Sequence, residues 1–325
     1  MATTEDINKS QQPNKASELG KDNKETPYHC GTVALLGVPN VGKSTLMNRI
    51  IGAKVAIVTP KPQTTRHRIL GIHTDEQRQI IFVDTPGIHK GAQQLNRNMV
   101  RVAYAAAEEA DVLAIMQDAS KPLDMPTKKL IERFADGRLK QPRIHVLNKV
   151  DRADKSRLLP RLKQLQQLDP GAKAYIPVSA RKGTQTDSLL KELTKYLPEQ
   201  PAIHDPDWFT DQSQRQLAGE YVREQVFLSM HQEIPFQTAV DIERFEDLGD
   251  IIEIEAVILV GSERHKPMLI GKGGGGMKAV GTKARLGLEE ILGCRVRLNI
   301  WVKVDEDWFD HPGKLIELGL GAGNE

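Results

Sequence analysis

Through the first two thirds of the chain, short apolar runs alternate with longer amphipathic stretches. Residues 32–36, 79–83, 143–147 and 175–178 are runs of strand length, mostly apolar and without a regular polar face. Between and after them, residues 45–51, 95–107, 127–134, 157–168 and 187–196 have helical composition or spacing. That alternation predicts an α/β domain, a mainly parallel sheet with helices on both faces. The rhythm stops at residues 197–206, where three prolines in ten positions exclude a helix or an inner strand and mark a domain boundary.

Beyond the boundary the pattern is that of an α+β domain. Residues 214–230 read as a helix, and 238–245 and 251–260 as alternating strands. A glycine-rich turn follows, then a helix with apolar positions at Met277, Val280, Ala284, Leu288 and Ile291. The last strand, 294–304, alternates strictly, with Val296, Leu298, Ile300, Val302 and Val304 on one face. The expected division is a disordered polar leader at 1–29, a first domain at 30–197, a linker at 198–206, a second domain at 207–311 and a tail at 312–325.

Each strand run of the first domain ends in a motif. Gly37-Val38-Pro39-Asn40-Val41-Gly42-Lys43-Ser44, followed by Thr45, is a P-loop between a strand and a helix. Gly37 and Gly42 let backbone N–H groups turn around phosphate oxygens, with Pro39, Asn40 and Val41 in the loop between them. Lys43 reaches the β- and γ-phosphates, and the Ser44 hydroxyl ligates Mg²⁺. Asp84 closes the second run and can hold Mg²⁺ through water, while Gly87 allows a close approach to the γ-phosphate.

Asn148-Lys149-Val150-Asp151 names the base. An acceptor-only carboxylate at Asp151 suits the N1–H and exocyclic amine of guanine, and adenine would leave it buried and unpaired. Asn148 can bond base and P-loop together, and the Lys149 stem can lie over the ring. Ser179, Ala180 and Arg181 end the fourth run, where backbone N–H groups of Ser179 and Ala180 would face the guanine O6.

Charge adds a second ligand class. Residues 31–204 carry 28 Lys and Arg against 16 Asp and Glu, whereas 205–325 carry 13 against 22. Inside that acidic half, residues 261–303 hold 9 basic and 3 acidic residues, a local face for a polyanion. Ile270-Gly271-Lys272-Gly273-Gly274 opens the helix there, and an I-G-x-x-G turn is the hallmark of a KH module, which clamps unpaired nucleotides. Lys272, Lys278, Lys283 and Arg285 can neutralise phosphates. Cys30 and Cys294 have no paired spacing and read as reduced thiols, and the histidines lack metal-ligand spacing.

A P-loop GTPase domain followed by a type II KH domain resembles the Era family of bacterial ribosome-assembly GTPases, over about residues 30–310. The stretch 63–68 (Gln-Thr-Thr-Arg-His-Arg) and Trp301-Val302-Lys303-Val304 carry the resemblance further. It implies GTP hydrolysis coupled to binding the single-stranded 3′ end of 16S rRNA during 30S subunit maturation, by a monomer. It also implies a cytoplasmic protein with loose association at the inner membrane. By position, Thr65 or Thr64 joins Ser44 as a Mg²⁺ ligand, and Lys43, Thr65, Gly87 and Asn40 serve catalysis. Asn40 stands where similar GTPases depend on K⁺, and Ile88 stands where Ras-like switches carry the water-orienting Gln. Gly275 and Gly276 depart from the family's usual helix formers and predict a fraying first turn.

Overall fold

The structure is a computed structural model that describes residues 27–88, 93–230 and 233–321. In the first domain it places β1 (His29–Leu36), α1 (Lys43–Ile51), β2 (Ile69–Thr74), β3 (Arg78–Asp84), α2 (Gln94–Glu109), β4 (Val112–Asp118), α3 (Met125–Ala135), β5 (Arg143–Asn148), α4 (Leu158–Leu168), β6 (Ala174–Pro177) and α5 (Thr186–Thr194). Among the described residues these strands form a six-stranded sheet in the order β2-β3-β1-β4-β5-β6, parallel except for β2.

The apolar runs are continuous because both sheet faces are covered. Val33 and Leu35 of β1 pack with Leu46 and Met47 of α1 and Leu189 and Leu193 of α5. Ala34 and Leu36 pack on the opposite side with Ala107 of α2, Leu130 and Phe134 of α3 and Leu165 of α4. The P-loop, Asp84, Asp118 and Asn148 thereby emerge together at the carboxyl ends of β1, β3, β4 and β5, the place where open α/β sheets bind ligands. β2 and β4 are not among the strands singled out in the sequence. The run at 112–116 is as apolar as its neighbours, while β2 is an edge hairpin partner with buried and half-buried positions.

The second domain holds α6 (Gln214–Ser229), β7 (Thr238–Asp247), β8 (Ile251–Val260), α7 (His265–Ile270), α8 (Gly275–Leu292), β9 (Arg295–Val304) and α9 (Pro312–Glu317). Its sheet runs β7-β8-β9, with β7 antiparallel and β9 parallel to β8, the crossover passing through α7 and α8. This is the expected α+β arrangement of a type II KH domain. Tyr221, Val222 and Val226 of α6 and Val280, Ala284 and Leu288 of α8 cover one sheet face. A capping box at Ser213 and Gln216 starts α6.

Three expectations change. Residues 1–26 of the expected leader lie outside the described residues, but His29 already opens β1. The stretch from 198 is laid along the first domain: the Cys30 N–H donates to Pro198 O at 3.0 Å, and Gln79 Oε1 accepts from the N–H groups of Ile203 and His204 at 2.8 and 2.9 Å. The tail is helical at α9, where buried Leu315 packs with Leu95, Met99 and Trp308, across the two domains; residues 322–325 lie outside the described residues.

Candidate functional site

Gly42 caps the start of α1, with a φ of 98° that only a glycine adopts easily. A Cβ on Gly42 would also stand 2.3 Å from Asn148 Nδ2, and one on Gly37 would stand 2.8 Å from Met116 O. The loop is therefore closed by backbone contact with neighbouring strand ends. Lys43 is buried, and its ammonium reaches no nearer than 3.4 Å to Gly37 O. Burial pushes its pKa down while Asp84 pushes it up. A cation so poorly satisfied suits a site meant for phosphate oxygens.

Ser44, Thr65 and Asp84 converge. Asp84 Oδ2 accepts from Ser44 Oγ at 2.6 Å and from Thr65 Oγ1 at 3.1 Å, and the two hydroxyls lie 3.1 Å apart. Asp84 Oδ1 is buried and has no hydrogen-bond partner among the described residues. Burial raises the Asp84 pKa against the opposing effect of Lys43 and the two hydroxyls. Two hydroxyls and a carboxylate with one oxygen unspent form a hard-oxygen donor set that fits Mg²⁺. Thr64 instead pairs with Thr59 at 2.7 Å and with Lys61 O at 2.9 Å, so of the two threonines only Thr65 faces Asp84. Gly87 needs its missing side chain, since a Cβ would meet Pro39 at 2.8 Å. The Ile88 N–H donates to Gly37 O at 3.1 Å, and its side chain packs on the α2–α3 side of the core.

At the other end of the cleft, Asn148 ties three loops. Its Nδ2 donates to Val41 O at 2.9 Å, and its Oδ1 accepts from the Lys149 and Ala180 N–H groups at 2.7 and 2.9 Å. Two donors assigned to the guanine O6 are thus held within the protein here, Ala180 by Asn148 and Ser179 by Thr184 O at 3.1 Å. Asp151 Oδ1 accepts from Ser179 Oγ at 2.6 Å, which lowers its pKa. Lys149, at φ 67°, donates to Asn40 O at 2.5 Å and to Asp118 Oδ2 at 2.8 Å. Asp118 and Ser120 escape the motif reading; the signal for them is the fifth apolar run, which ends in an acid as the others end in motifs. Arg181 lines the same cleft, a cavity of about 610 Å³ that also meets Thr45, Asp118 and Ser120.

In the second domain, Gly271, Gly273 and Gly274 have φ of 73°, 59° and 77°. The positive-φ backbone absorbs three glycines of the turn, so of that run only Gly275 and Gly276 carry the helical cost. Added Cβ atoms on Gly273, Gly274 and Gly275 would meet nothing within 4 Å, so the turn after Ile270 is open. Lys272, Lys278 and Lys283 are exposed. Arg285 is not free for phosphate: its Nη1 donates to both Glu289 oxygens at 2.7 Å. Lys278 and Lys283 are five residues apart, about 140° around α8, and so do not share one face.

This fold and this cleft define a P-loop GTPase joined to a KH domain. A family model described as "50S ribosome-binding GTPase" matches residues 32–149, and one described as "KH domain" matches 233–309. The GTPase Era of Nitratidesulfovibrio vulgaris is 43% identical over 91% of this chain and 98% of its own length, and that of Stenotrophomonas maltophilia is 43% identical over 91% and 99%. A point variant of Aquifex aeolicus Era bound to GDP·AlF4⁻ superposes with a TM-score of 0.87 at 38% identity, over 90% of this chain and 99% of that one. An Era complex with MgGDPNP and nucleotides 1506–1542 of 16S ribosomal RNA matches equally well, with a TM-score of 0.87 at 38% identity over the same shares. The chain belongs to the GTPase Era family and is a GTP-hydrolysing enzyme.

Proposed function

We propose that this chain binds the single-stranded 3′ end of 16S rRNA through its KH domain and couples its GTP cycle to maturation of the 30S subunit. The observation that carries the reading is the union, in one chain, of the guanine-nucleotide cleft and the glycine turn before α8, open at Gly273, Gly274 and Gly275. The similar Era bound to 16S nucleotides supports the choice of RNA. Lys272 stands at the turn, with Lys278 and Lys283 beyond it, and Gly273 leaves room for a backbone to pass.

Mg²⁺ would be held by Ser44, Thr65 and Asp84, where it would supply positive charge against that building on the phosphates. Lys43 binds the β- and γ-phosphates, the Gly87 backbone approaches the γ-phosphate, and the Ile88 side chain can neither donate nor accept to orient water. Intrinsic turnover is therefore slow. Asn40 Nδ2 donates to Pro60 O at 3.1 Å, joining the P-loop to the segment before Thr65. Its side-chain carbonyl is the proposed K⁺ ligand, so hydrolysis runs faster in K⁺ than in Na⁺ at equal ionic strength, and Asn40→Ala removes the difference. The protein acts as a cytoplasmic monomer with a peripheral fraction at the inner membrane. Among the described residues no helix is long and apolar enough to cross a membrane.

The test is RNA binding by the full chain with a GTP analogue. Gly273→Asp places charge and bulk at the turn and abolishes binding of the 3′-end RNA while GTP binding is kept. Wild-type RNA affinity in that variant would refute the KH assignment. In depleted cells, 30S particles with unprocessed 3′ ends should accumulate.

A further inference from the structure

The segment leading to Thr65 is bound to the second domain along its length. The Val58 N–H donates to Glu224 Oε1 at 3.1 Å, and the Lys61 ammonium meets the carbonyls of Phe227 and Met230. The two residues flanking Thr65 are held most firmly. Thr64 O accepts from Arg223 Nη2 at 2.5 Å, and Arg223 is itself paired with Glu220 at 2.6 and 2.8 Å.

Arg66 is buried, only 2% exposed. Its guanidinium donates to Thr238 O at 2.6 Å, Pro235 O at 3.0 Å and Phe236 O at 3.1 Å. The rings of Phe227 and Trp308 lie 5.5 and 5.6 Å from it. Burying a guanidinium is costly unless its donors are met, and here backbone carbonyls of the second domain meet both terminal nitrogens. A side chain so committed fixes the backbone it hangs from. With Thr64 tied on one side and Arg66 on the other, the Thr65 hydroxyl has little freedom but to face Asp84 and Ser44.

We propose that Arg66 is a positioning residue for GTP hydrolysis: plugged into the 235–238 carbonyls, it sets Thr65 for the cation, so that the RNA-binding domain completes the cation side of the nucleotide site. The proposal rests on the reading of Thr65 as a Mg²⁺ ligand. Arg66 reaches no nucleotide itself and acts through its neighbour. Only a planar fork can serve these carbonyls together, so a lysine does not replace it.

The experiment measures release of a fluorescent GDPNP analogue from the full-length protein as Mg²⁺ is titrated, with electron paramagnetic resonance of Mn²⁺ in place of Mg²⁺ as a second readout. Thr65→Ala, Arg66→Ala and Arg66→Lys should each raise the Mg²⁺ concentration for half-maximal retention about tenfold, since a misplacement on the order of 1 Å is costly at such a site. Arg223→Gln should shift it the same way by a smaller factor. GDP affinity without Mg²⁺ should stay at the wild-type value throughout. Wild-type Mg²⁺ dependence in folded Arg66→Lys and Arg66→Ala, with a shifted Thr65→Ala, would overturn the role of Arg66 alone. Wild-type dependence in Thr65→Ala would overturn the ligand reading. Should Arg66→Ala not fold, Arg66→Lys and Arg223→Gln decide the matter.

Discussion

The two ends of the nucleotide cleft are built on different principles. The base end is closed within the first domain: Asn148 joins the P-loop and the 179–180 loop, Asp151 is held by Ser179, and Lys149 bridges Asn40 and Asp118. At the phosphate end, the chain before and after Asp84 is fastened to the second domain. Arg66 and Thr64 are held by 235–238 and Arg223. Downstream, the N-terminus of α2 is capped from the far end of the chain, since the Gln94 N–H donates to Asp310 Oδ1 at 2.7 Å and the Leu95 N–H to Phe309 O at 3.0 Å. Base choice is thus a local property of one domain, whereas the geometry that governs hydrolysis is shared across an interface.

The largest expected effect probes the first domain's own framework, below the base end of the cleft. Asp169 underpins β5 through Arg143, at 2.8 Å to each oxygen, and His145 at 3.1 Å. Burial raises the Asp169 pKa, but Arg143 and His145 outweigh it and hold the carboxyl well below its usual range. Asp169→Asn should cost about 3 kcal/mol of stability in chemical denaturation, as for one broken buried pair. Because the folded pKa is depressed, the contribution is complete above the unfolded pKa of about 3.9 and drains as pH falls below it. The variant's deficit should therefore shrink in acid and hold steady from pH 5 to 8.

Asp151→Asn sharpens the comparison from the ligand side. GTP affinity should fall by roughly two orders of magnitude, about 2.7 kcal/mol, with XTP partly replacing it. RNA affinity at saturating nucleotide should not move; a fall in it would join the two ends that the geometry separates. Leu315→Ala does the reverse. It empties a buried position between α2 and the second sheet and should cost about 2.5 kcal/mol. Single-turnover hydrolysis should change while the preference for guanine over xanthine does not. The smallest effect is Asp310→Ala, which removes a cap of α2 worth about 1 kcal/mol, visible as faster hydrogen exchange in its first turn.

Some residues announce themselves and others do not. Gly37 to Ser44 form one contiguous loop, so their spacing is the geometry. The same holds for Asn148 to Asp151 and for the turn at Gly271. Arg285 passes for a phosphate ligand because pairing with Glu289 one helical turn away is invisible in a count of basic residues. The Ser179 and Ala180 N–H groups, read as donors to the base, meet Thr184 O and Asn148 Oδ1 here, partners that no spacing reveals.

By itself the sequence determined the two domain types, the nucleotide cleft and the glycine turn, because each rests on periodicity or on short contiguous loops with one feasible backbone path. Only the tertiary structure decided what the remaining residues do. Arg66 meets carbonyls about 170 residues away, Lys149 finds Asp118 at the end of the neighbouring strand, and the apolar Leu315 of the tail becomes part of the core between domains. Such contacts follow from how neighbouring strand ends and the two domains come to lie against one another, and a buried charge or a lone leucine carries no local period from which that packing could be read.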